Sequence, residues 1–229
     1  MIIMKQKEAW EYLFKKDRLE WTIPDVSVVN LVPLLKKRNF KRTLDLGCGS
    51  GRHMVYLGKR NFVVVGSDIS PTGLSRAQKW LEKENIDNYC LVEHDMIKLP
   101  FPDEHFDVVV GINVIHHNHL KKIKQTVNEI NRVLKKKGLV LVTLSSTGDY
   151  KFGIGKKLER NTYLSPKGAI HHFFDEKGVR KLFDKFKIID IKERVEVKNK
   201  KSLAHLPILK NIKKRNVTVV HWQVLAERL

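Results

Sequence analysis

A loop with three alternating glycines is the segment of this 229-residue chain whose residue types and spacing most clearly predict chemistry. It runs from residue 45 to residue 52 and reads DLGCGSGR. Glycine at alternate positions allows a sharp turn and exposes backbone N–H groups to a ligand. The loop therefore predicts a nucleotide-binding site, and its candidate contacts are Gly47, Cys48, Gly49 and Gly51.

Two residues of this loop argue against a dinucleotide such as NAD. The dinucleotide fingerprint has Gly or Ala at its sixth position, where this loop has Arg52. Asp45 places a carboxylate two residues before the first glycine, where it would repel a pyrophosphate and attract a cation. S-adenosylmethionine carries an ammonium and a sulfonium and has no phosphate, so it suits this loop. The alternative for Asp45 is a buried salt bridge within the protein.

Two further acids follow at positions where the adenosine of such a cofactor would lie. Asp68, with Ile69 beside it, comes about twenty residues after the loop and can accept hydrogen bonds from both ribose hydroxyls. Asp95 supplies an acceptor for the adenine amino group, and Met96 supplies an apolar surface for the ring. The alternatives are structural, because Asp68 could cap the next helix and Asp95 could close a turn.

The segment from residue 113 to residue 119 reads NVIHHNH and holds three histidines. Histidine suits proton transfer near neutral pH, so His116 and His117 are candidate catalytic residues, with packing or substrate positioning as the alternative. We expect no metal site, because adjacent histidines point apart and no acidic third ligand has helical spacing. His171 and His172 are weaker candidates that we expect in a wall beneath a loop.

The elements that must position these residues are short β-branched apolar runs that alternate with amphipathic stretches. This alternation is typical of βαβ units and a parallel sheet. The candidate loops follow the carboxyl ends of strands, where open α/β sheets bind ligands. Seven strands are predicted: Thr43–Leu46, Phe62–Ser67, Tyr89–Glu93, Phe106–Ile112, Leu139–Leu144, Lys187–Val195 and Val217–Ala226.

Local signals also predict where several helices begin and end. Ser70 followed by Pro71 predicts an N-cap with proline at the first helical position. Asp175 is a second predicted N-cap. A third helix is predicted from about residue 119 to residue 134, with the lysines at 135–137 at its basic end and Gly138 after it.

Three stretches fall outside this alternation. Residues 1–42 contain several aromatic residues and are predicted to form a helical lead-in over the ligand edge of the sheet. Residues 145–172 are rich in glycine and polar residues and are predicted to form a loop after the fifth strand. Residues 198–216 contain seven Lys and Arg residues and no acid. Because no repeat or linker divides the chain, we expect one domain over 1–229, with its core at 43–229.

The composition of the chain limits the kinds of partner and the cellular compartment that we expect. The chain has 44 Lys and Arg against 25 Asp and Glu, which gives a formal charge of +19. This charge predicts an anionic partner. The alternative is that the charge belongs to a Lys-rich surface of the kind found in thermophile proteins. Residues 198–216 lack aromatic side chains that stack on bases, so we expect weak RNA binding at most.

No stretch approaches the roughly 18 apolar residues of a membrane span, so we expect a cytoplasmic protein without a membrane partner. The sequence does not indicate an oligomeric state.

Together these motifs resemble those of the class I S-adenosylmethionine-dependent methyltransferases. The resemblance rests on the D-x-G-x-G-x-G loop, on Asp68, on HDM at 94–96, on LPFPD at 99–103 and on EINRVLKKKGLVLVT at 129–143. It implies a Rossmann-like, doubly wound α/β fold with a seven-stranded sheet of order 3-2-1-4-5-7-6 and an antiparallel last strand. It also implies that Asn113 lies by the methionine moiety and that His116 or His117 faces the acceptor.

A finer resemblance concerns the substrate. SPTGL at 70–74 and HFFDE at 172–176 resemble the small-molecule branch with the tellurite-resistance-type enzymes, methyltransferase type 11. This implies direct methyl displacement onto a small-molecule acceptor. The chain lacks the Asn-Pro-Pro-Tyr type motif of enzymes that methylate base amino groups. The alternatives are an RNA or protein methyltransferase that uses the basic 198–216 tract, and a non-catalytic cofactor-binding scaffold subunit.

Overall fold

A seven-stranded sheet forms the centre of the computed structural model, which describes residues 6–16, 21–166, 168–199 and 216–229. The strands are β1 Arg42–Leu46, β2 Val63–Asp68, β3 Tyr89–Glu93, β4 Phe106–Gly111, β5 Leu134–Ser145, β9 Phe186–Asn199 and β10 Asn216–Arg228. Their order in the sheet is β3-β2-β1-β4-β5-β10-β9, and β10 runs antiparallel to both of its neighbours. The predicted order, with its antiparallel last strand, is confirmed, and each predicted strand is present within a few residues.

The parallel register brings the carboxyl ends of the central strands to one edge of the sheet. Leu46 at the end of β1 pairs with Ser67 of β2, and Asp68 pairs with Glu93 at the end of β3. Gly111 at the end of β4 pairs with Val142 of β5. The loops that follow β1, β2, β3 and β4 therefore meet above this edge, where ligands bind in open α/β sheets.

Six helices are present among the described residues, and the predicted caps are confirmed. The Ser70 hydroxyl accepts a hydrogen bond from the backbone N–H of Gly73, and the Asp175 carboxylate accepts one from Gly178. The helices are α1 Gln6–Lys15, α2 Val26–Lys37, α3 Arg52–Gly58, α4 Pro71–Lys83, α5 Leu120–Val133 and α6 Glu176–Leu182.

Helices cover both faces of the sheet, and the side chains of β4 alternate between two cores. Val109 packs into the core that contains residues of α5 and α6. Val108 and Val110 pack into the core that contains residues of α2, α3 and α4. Along the stretches that the structure describes, no helix combines the length and the apolar character that a membrane span requires.

Two sequence expectations about local structure are wrong. The lysines at 135–137 do not end a helix, because β5 begins at Leu134 directly after α5, and Lys135 reaches the Asp107 carboxylate at 2.7 Å. Residues 145–172 are not simply a loop, since they contain a three-stranded antiparallel sheet. Its strands are β6 Lys156–Glu159, β7 Thr162–Leu164 and β8 Ile170–His172. The basic tract at 200–215 lies outside the described residues.

Candidate functional site

A deep pocket lies at the carboxyl edge of the sheet, where the predicted loops converge. About 1010 Å³ of space lies within its walls and mouth, open solvent included. Most of the predicted site residues line it, whereas Asp45, Gly51 and His116 do not. The predicted residues in its lining are Gly47, Cys48, Gly49, Asp68, Ile69, Asp95, Met96, Asn113 and His117.

The glycine loop turns sharply between β1 and α3 because its glycines adopt left-handed backbone angles. Gly47 has a φ of 67°, and a Cβ there would lie 2.1 Å from Val114 Cγ2. Only glycine fits this position without displacing the neighbouring loop. Gly51 has a φ of 88° and lies against Ala77 of α4, so its role is helix packing rather than contact with the pocket.

Asp68 is buried and holds the loop around the pocket. Its Oδ2 accepts a hydrogen bond from Gly49 N at 2.8 Å, and its Oδ1 accepts one from Ser70 N at 2.9 Å. Burial raises the pKa of Asp68 to about 6, although these backbone donors favour the charged form. Asp68 therefore has a structural role that the sequence did not predict, beside the ribose contact that it could provide. The helix cap itself is Ser70, so the capping alternative for Asp68 does not hold.

Asp45 is buried behind the loop, and the pocket lining does not include it. Its Oδ1 lies 3.6 Å from His53 Nδ1. This contact resembles the buried salt bridge that was the alternative role for Asp45. Its Oδ2 has no hydrogen-bond partner among the described residues. A direct contact between Asp45 and a cofactor therefore stays a prediction, whereas His53 does line the pocket.

The segment after β3 contributes to the pocket wall at the place predicted for an adenine. Asp95 Oδ1 accepts a hydrogen bond from Ile97 N at 3.3 Å, so the turn-closing role is present. The same residue lines the pocket beside His94 and Met96. Burial lowers the pKa of His94. The arrangement offers a carboxylate and an apolar surface within the same wall, as an adenine ring requires.

Asn113 occupies a strained turn directly after β4. Its φ is 60°, and its backbone N–H donates to Thr143 Oγ1 at 2.8 Å. The Thr143 hydroxyl in turn donates to Asn113 Oδ1 at 2.9 Å. These two bonds from β5 fix both the backbone and the side chain of Asn113, which lines the pocket.

The histidines lie together, and the expectation that His116 and His117 point apart is wrong. Their ring centroids are 4.2 Å apart, because residues 113–118 form turns rather than a regular strand or helix. His171 of β8 stacks edge-on against His117 at 4.5 Å. Only His117 of these three lines the pocket, and His116 lies behind it. Burial lowers the pKa of His117 to about 3 and that of His116 well below its usual value, so both rings are neutral at pH 7.

Helix α1 lies over the ligand edge of the sheet, as predicted for the lead-in at residues 1–42, and contributes side chains to the pocket. Gln6, Trp10 and Phe14 line the pocket, and Gln6 Nε2 donates to His117 O at 3.0 Å. The Trp10 ring packs edge-on against His117 at 4.8 Å. Glu11 anchors the helix, because its carboxylate accepts hydrogen bonds from the hydroxyls of two residues at the start of α4, Ser70 and Thr72. The aromatic residues within 1–42 were the sequence feature that indicated a role for this segment at the pocket.

The lining chemistry fits S-adenosylmethionine. Ser50 Oγ, Ser67 Oγ and His94 Nδ1 belong to lining residues and are buried without a hydrogen-bond partner in the part of the chain that is described. Buried polar atoms of this kind require partners, and a polar ligand would supply them. Asp68 and Asp95 provide acceptors, and Met96 and Ile69 provide apolar surface for a purine.

Comparisons with known proteins indicate a methyltransferase domain. Residues 43–138 match the family model described as a methyltransferase domain. The 27-O-demethylrifamycin SV methyltransferase of Amycolatopsis mediterranei is 36% identical over 89 residues, which are 38% of this chain and 33% of that protein. The tRNA N(3)-cytidine methyltransferase METTL2 of Gallus gallus is 27% identical over 167 residues, which are 68% of this chain and 45% of that protein.

Solved structures show the same fold. A Burkholderia thailandensis 1,6-didemethyltoxoflavin-N1-methyltransferase superposes with a TM-score of 0.69 at 15% identity, covering 97% of this chain and 86% of that chain. The chain spans about half or less of the length of the curated relatives named above. These proteins are all methyltransferases, which supports the class of protein. Their names give different acceptors, so they do not favour the tellurite-resistance-type branch over other branches.

The sheet order, the pocket at its carboxyl edge and the matched family model together define the class. Residues 43–138 form a methyltransferase domain of the class I, Rossmann-like kind, and S-adenosylmethionine is the cofactor of this domain.

Proposed function

We propose that this chain transfers a methyl group from S-adenosylmethionine to a small-molecule acceptor by direct displacement. The observation that supports a small acceptor most strongly is the wall that α1 contributes to the pocket. Trp10 and Gln6 both contact His117, so the end of the pocket beyond Asn113 is bordered by side chains of this helix. A bordered pocket of this kind suits a metabolite better than an exposed polymer.

The cofactor-binding residues have distinct proposed roles. S-adenosylmethionine supplies a methyl group on a positively charged sulfur. Asp68 would accept hydrogen bonds from the ribose hydroxyls through the oxygen lone pairs that Gly49 and Ser70 leave free. Asp95 and Met96 would hold the adenine, and Asn113 would orient the methionine end. The backbone of the glycine loop would lie against the same end of the ligand.

The chemical step requires alignment more than it requires a reactive side chain. A direct displacement is accelerated when nucleophile, methyl group and leaving sulfur are held in line. His117 is positioned for this task by Gln6, Trp10 and the Ile170 carbonyl, which lies 3.1 Å from its Nδ1. A general base contributes only when the acceptor must lose a proton. His117 borders the acceptor end, and His116 acts behind it as a positioning residue.

A second candidate function has specific support. The formal charge of +19 and the similarity to a tRNA methyltransferase favour an RNA acceptor docked by basic residues, including those at 198–216. A cofactor-binding scaffold that activates a partner subunit is the third alternative. It predicts cofactor binding without methyl transfer.

A labelled-methyl transfer assay separates these alternatives. The full chain is incubated with methyl-labelled S-adenosylmethionine and with metabolite, RNA and protein fractions of the source cell. Asp68→Asn serves as the cofactor-site variant, and Asp184→Asn, at an exposed position, serves as the matched control. Label in the metabolite fraction, lost in Asp68→Asn and kept in Asp184→Asn, supports the proposal. Label in RNA or protein overturns the small-molecule acceptor, and cofactor binding without transfer to any fraction overturns the enzymatic function.

A further inference from the structure

Three histidines come together beside the pocket, although they lie on two separate parts of the chain. His116 and His117 follow β4, and His171 lies on β8 of the small sheet. One ring nitrogen of each lies within 4.8 Å of the others. His116 and His117 are buried, and His171 is partly buried. The cluster is therefore a convergence of imidazoles that the sequence alone did not predict.

Backbone carbonyls orient two of these rings as they do in metal sites. The Ile170 carbonyl lies 3.1 Å from His117 Nδ1, and the Thr143 carbonyl lies 3.4 Å from His116 Nδ1. Donation from Nδ1–H to a carbonyl leaves Nε2 with a free lone pair, which is the usual arrangement of a metal-binding histidine. His171 Nδ1 is buried and has no hydrogen-bond partner in the described part of the chain.

The charges around the cluster come from a few nearby groups. Lys151 faces the cluster and opposes a bound cation. Asp149 offsets part of this charge through its electrostatic attraction to Lys151, and the backbone N–H groups of Lys151 and Val220 hold its buried carboxylate in place. The His221 ring lies 6.0 Å from His116 and is a fourth imidazole at the edge of the cluster.

We propose that His116, His117 and His171 bind a divalent transition-metal ion of the Zn²⁺ class. Three imidazoles form a known type of zinc site, with a fourth position that is open to water or another ligand. Zn–N bonds of about 2.0–2.1 Å in a tetrahedron place the nitrogens roughly 3.3 Å apart, so the rings need to approach by up to about 1.5 Å. The ion would join β8 to the segment after β4, at the wall of the pocket that carries His117. This site does not depend on the proposed methyl transfer.

Cobalt titration of the full chain tests the site directly. The protein is purified without a histidine tag, treated with a chelator and titrated with Co²⁺, whose visible absorption reports imidazole coordination. We expect one equivalent to bind, and we expect Kd to rise at least about 100-fold in His116→Ala and in His171→Ala. His105→Ala is the matched control, because His105 immediately precedes β4 at the opposite edge of the sheet. Circular dichroism reports whether each variant is folded, and the affinity for S-adenosylhomocysteine is measured in parallel.

A second measurement uses the wild-type protein alone. Addition of Zn²⁺ should raise the Tm and shift the imidazole nitrogen resonances of these three histidines, because only the folded state brings the ligands together. The proposal is overturned if the wild type binds no stoichiometric Co²⁺, or if His171→Ala and His105→Ala bind it equally. Cofactor binding that persists in either case would leave the proposed function standing.

Discussion

Protonation of Asp68 should control the affinity of the cofactor between about pH 5 and pH 7. The carboxylate must be ionised to accept hydrogen bonds from the ribose in addition to those from Gly49 N and Ser70 N. Its pKa of about 6 is raised by burial and also by the nearby charge of Asp45. Below this pH the carboxyl group is protonated and loses acceptor capacity, so affinity should fall as the pH falls.

The size of the effect follows from the ionised fraction. With a pKa of about 6, roughly 90% of Asp68 is ionised at pH 7 and roughly 10% at pH 5, so Kd should rise about 10-fold on acidification. Binding near pH 5 should release close to one proton, since the ligand selects the ionised form. Asp68→Asn removes the charge and two strong acceptor positions, so we expect an affinity that is roughly 10- to 100-fold weaker and independent of pH in this range.

Isothermal titration calorimetry with S-adenosylhomocysteine measures both quantities. Titrations across this pH range give the affinity, and repeats in buffers of different ionisation enthalpy give the number of protons released. Asp184→Asn is the control that changes an exposed carboxylate. A wild-type affinity that is flat from pH 5 to pH 7, or a slope that survives in Asp68→Asn, would refute the reasoning for Asp68.

Three further changes separate positioning of the site from support of the fold. Thr143→Val leaves the half-buried Asn113 N–H without its acceptor, so we expect about 1–3 kcal/mol less stability by urea unfolding together with weaker cofactor binding; unchanged binding would remove Thr143 from the positioning of the site. Glu11→Gln weakens the hydrogen bonds that anchor α1, so stopped-flow measurement should show ligand dissociation roughly 10-fold faster; an unaltered rate would mean that α1 does not retain the ligand. Asp107→Asn should lower the free energy of unfolding at pH 7 by about 1–3 kcal/mol without affecting cofactor affinity. Its effect should disappear as the pH falls below about 4, since Lys135 and two backbone donors outweigh burial and lower the pKa of Asp107; an effect that persists in acid would contradict this pKa.

The sheet and its cofactor edge were predictable because their signals are local. β-branched runs fixed the strands, and Ser70 and Asp175 marked helix starts through hydrogen bonds made within three residues. The glycine loop and Asp68 fell at strand ends, so their convergence followed from a parallel sheet.

The parts that were missed depend on contacts between distant residues. The start of β5 involves the pairing of Leu134 with Phe106 of β4 and the ion pair of Lys135 with Asp107, which are contacts between residues far apart in the chain. The histidine cluster requires turns after β4 and the pairing of β8 within the small sheet, neither of which leaves a periodic pattern. The same reason explains why the segment that carries Trp10 and Phe14 could be predicted over the ligand edge, whereas the contacts of these two side chains could not.

A crystal structure of the chain with S-adenosylhomocysteine tests the central claim most directly. The account predicts the ribose hydroxyls within hydrogen-bond distance of the Asp68 carboxylate, the adenine beside Met96 and Asp95, and the sulfur facing Asn113 and His117. A ligand bound elsewhere on the chain, or bound in this pocket with its ribose away from Asp68, would contradict it.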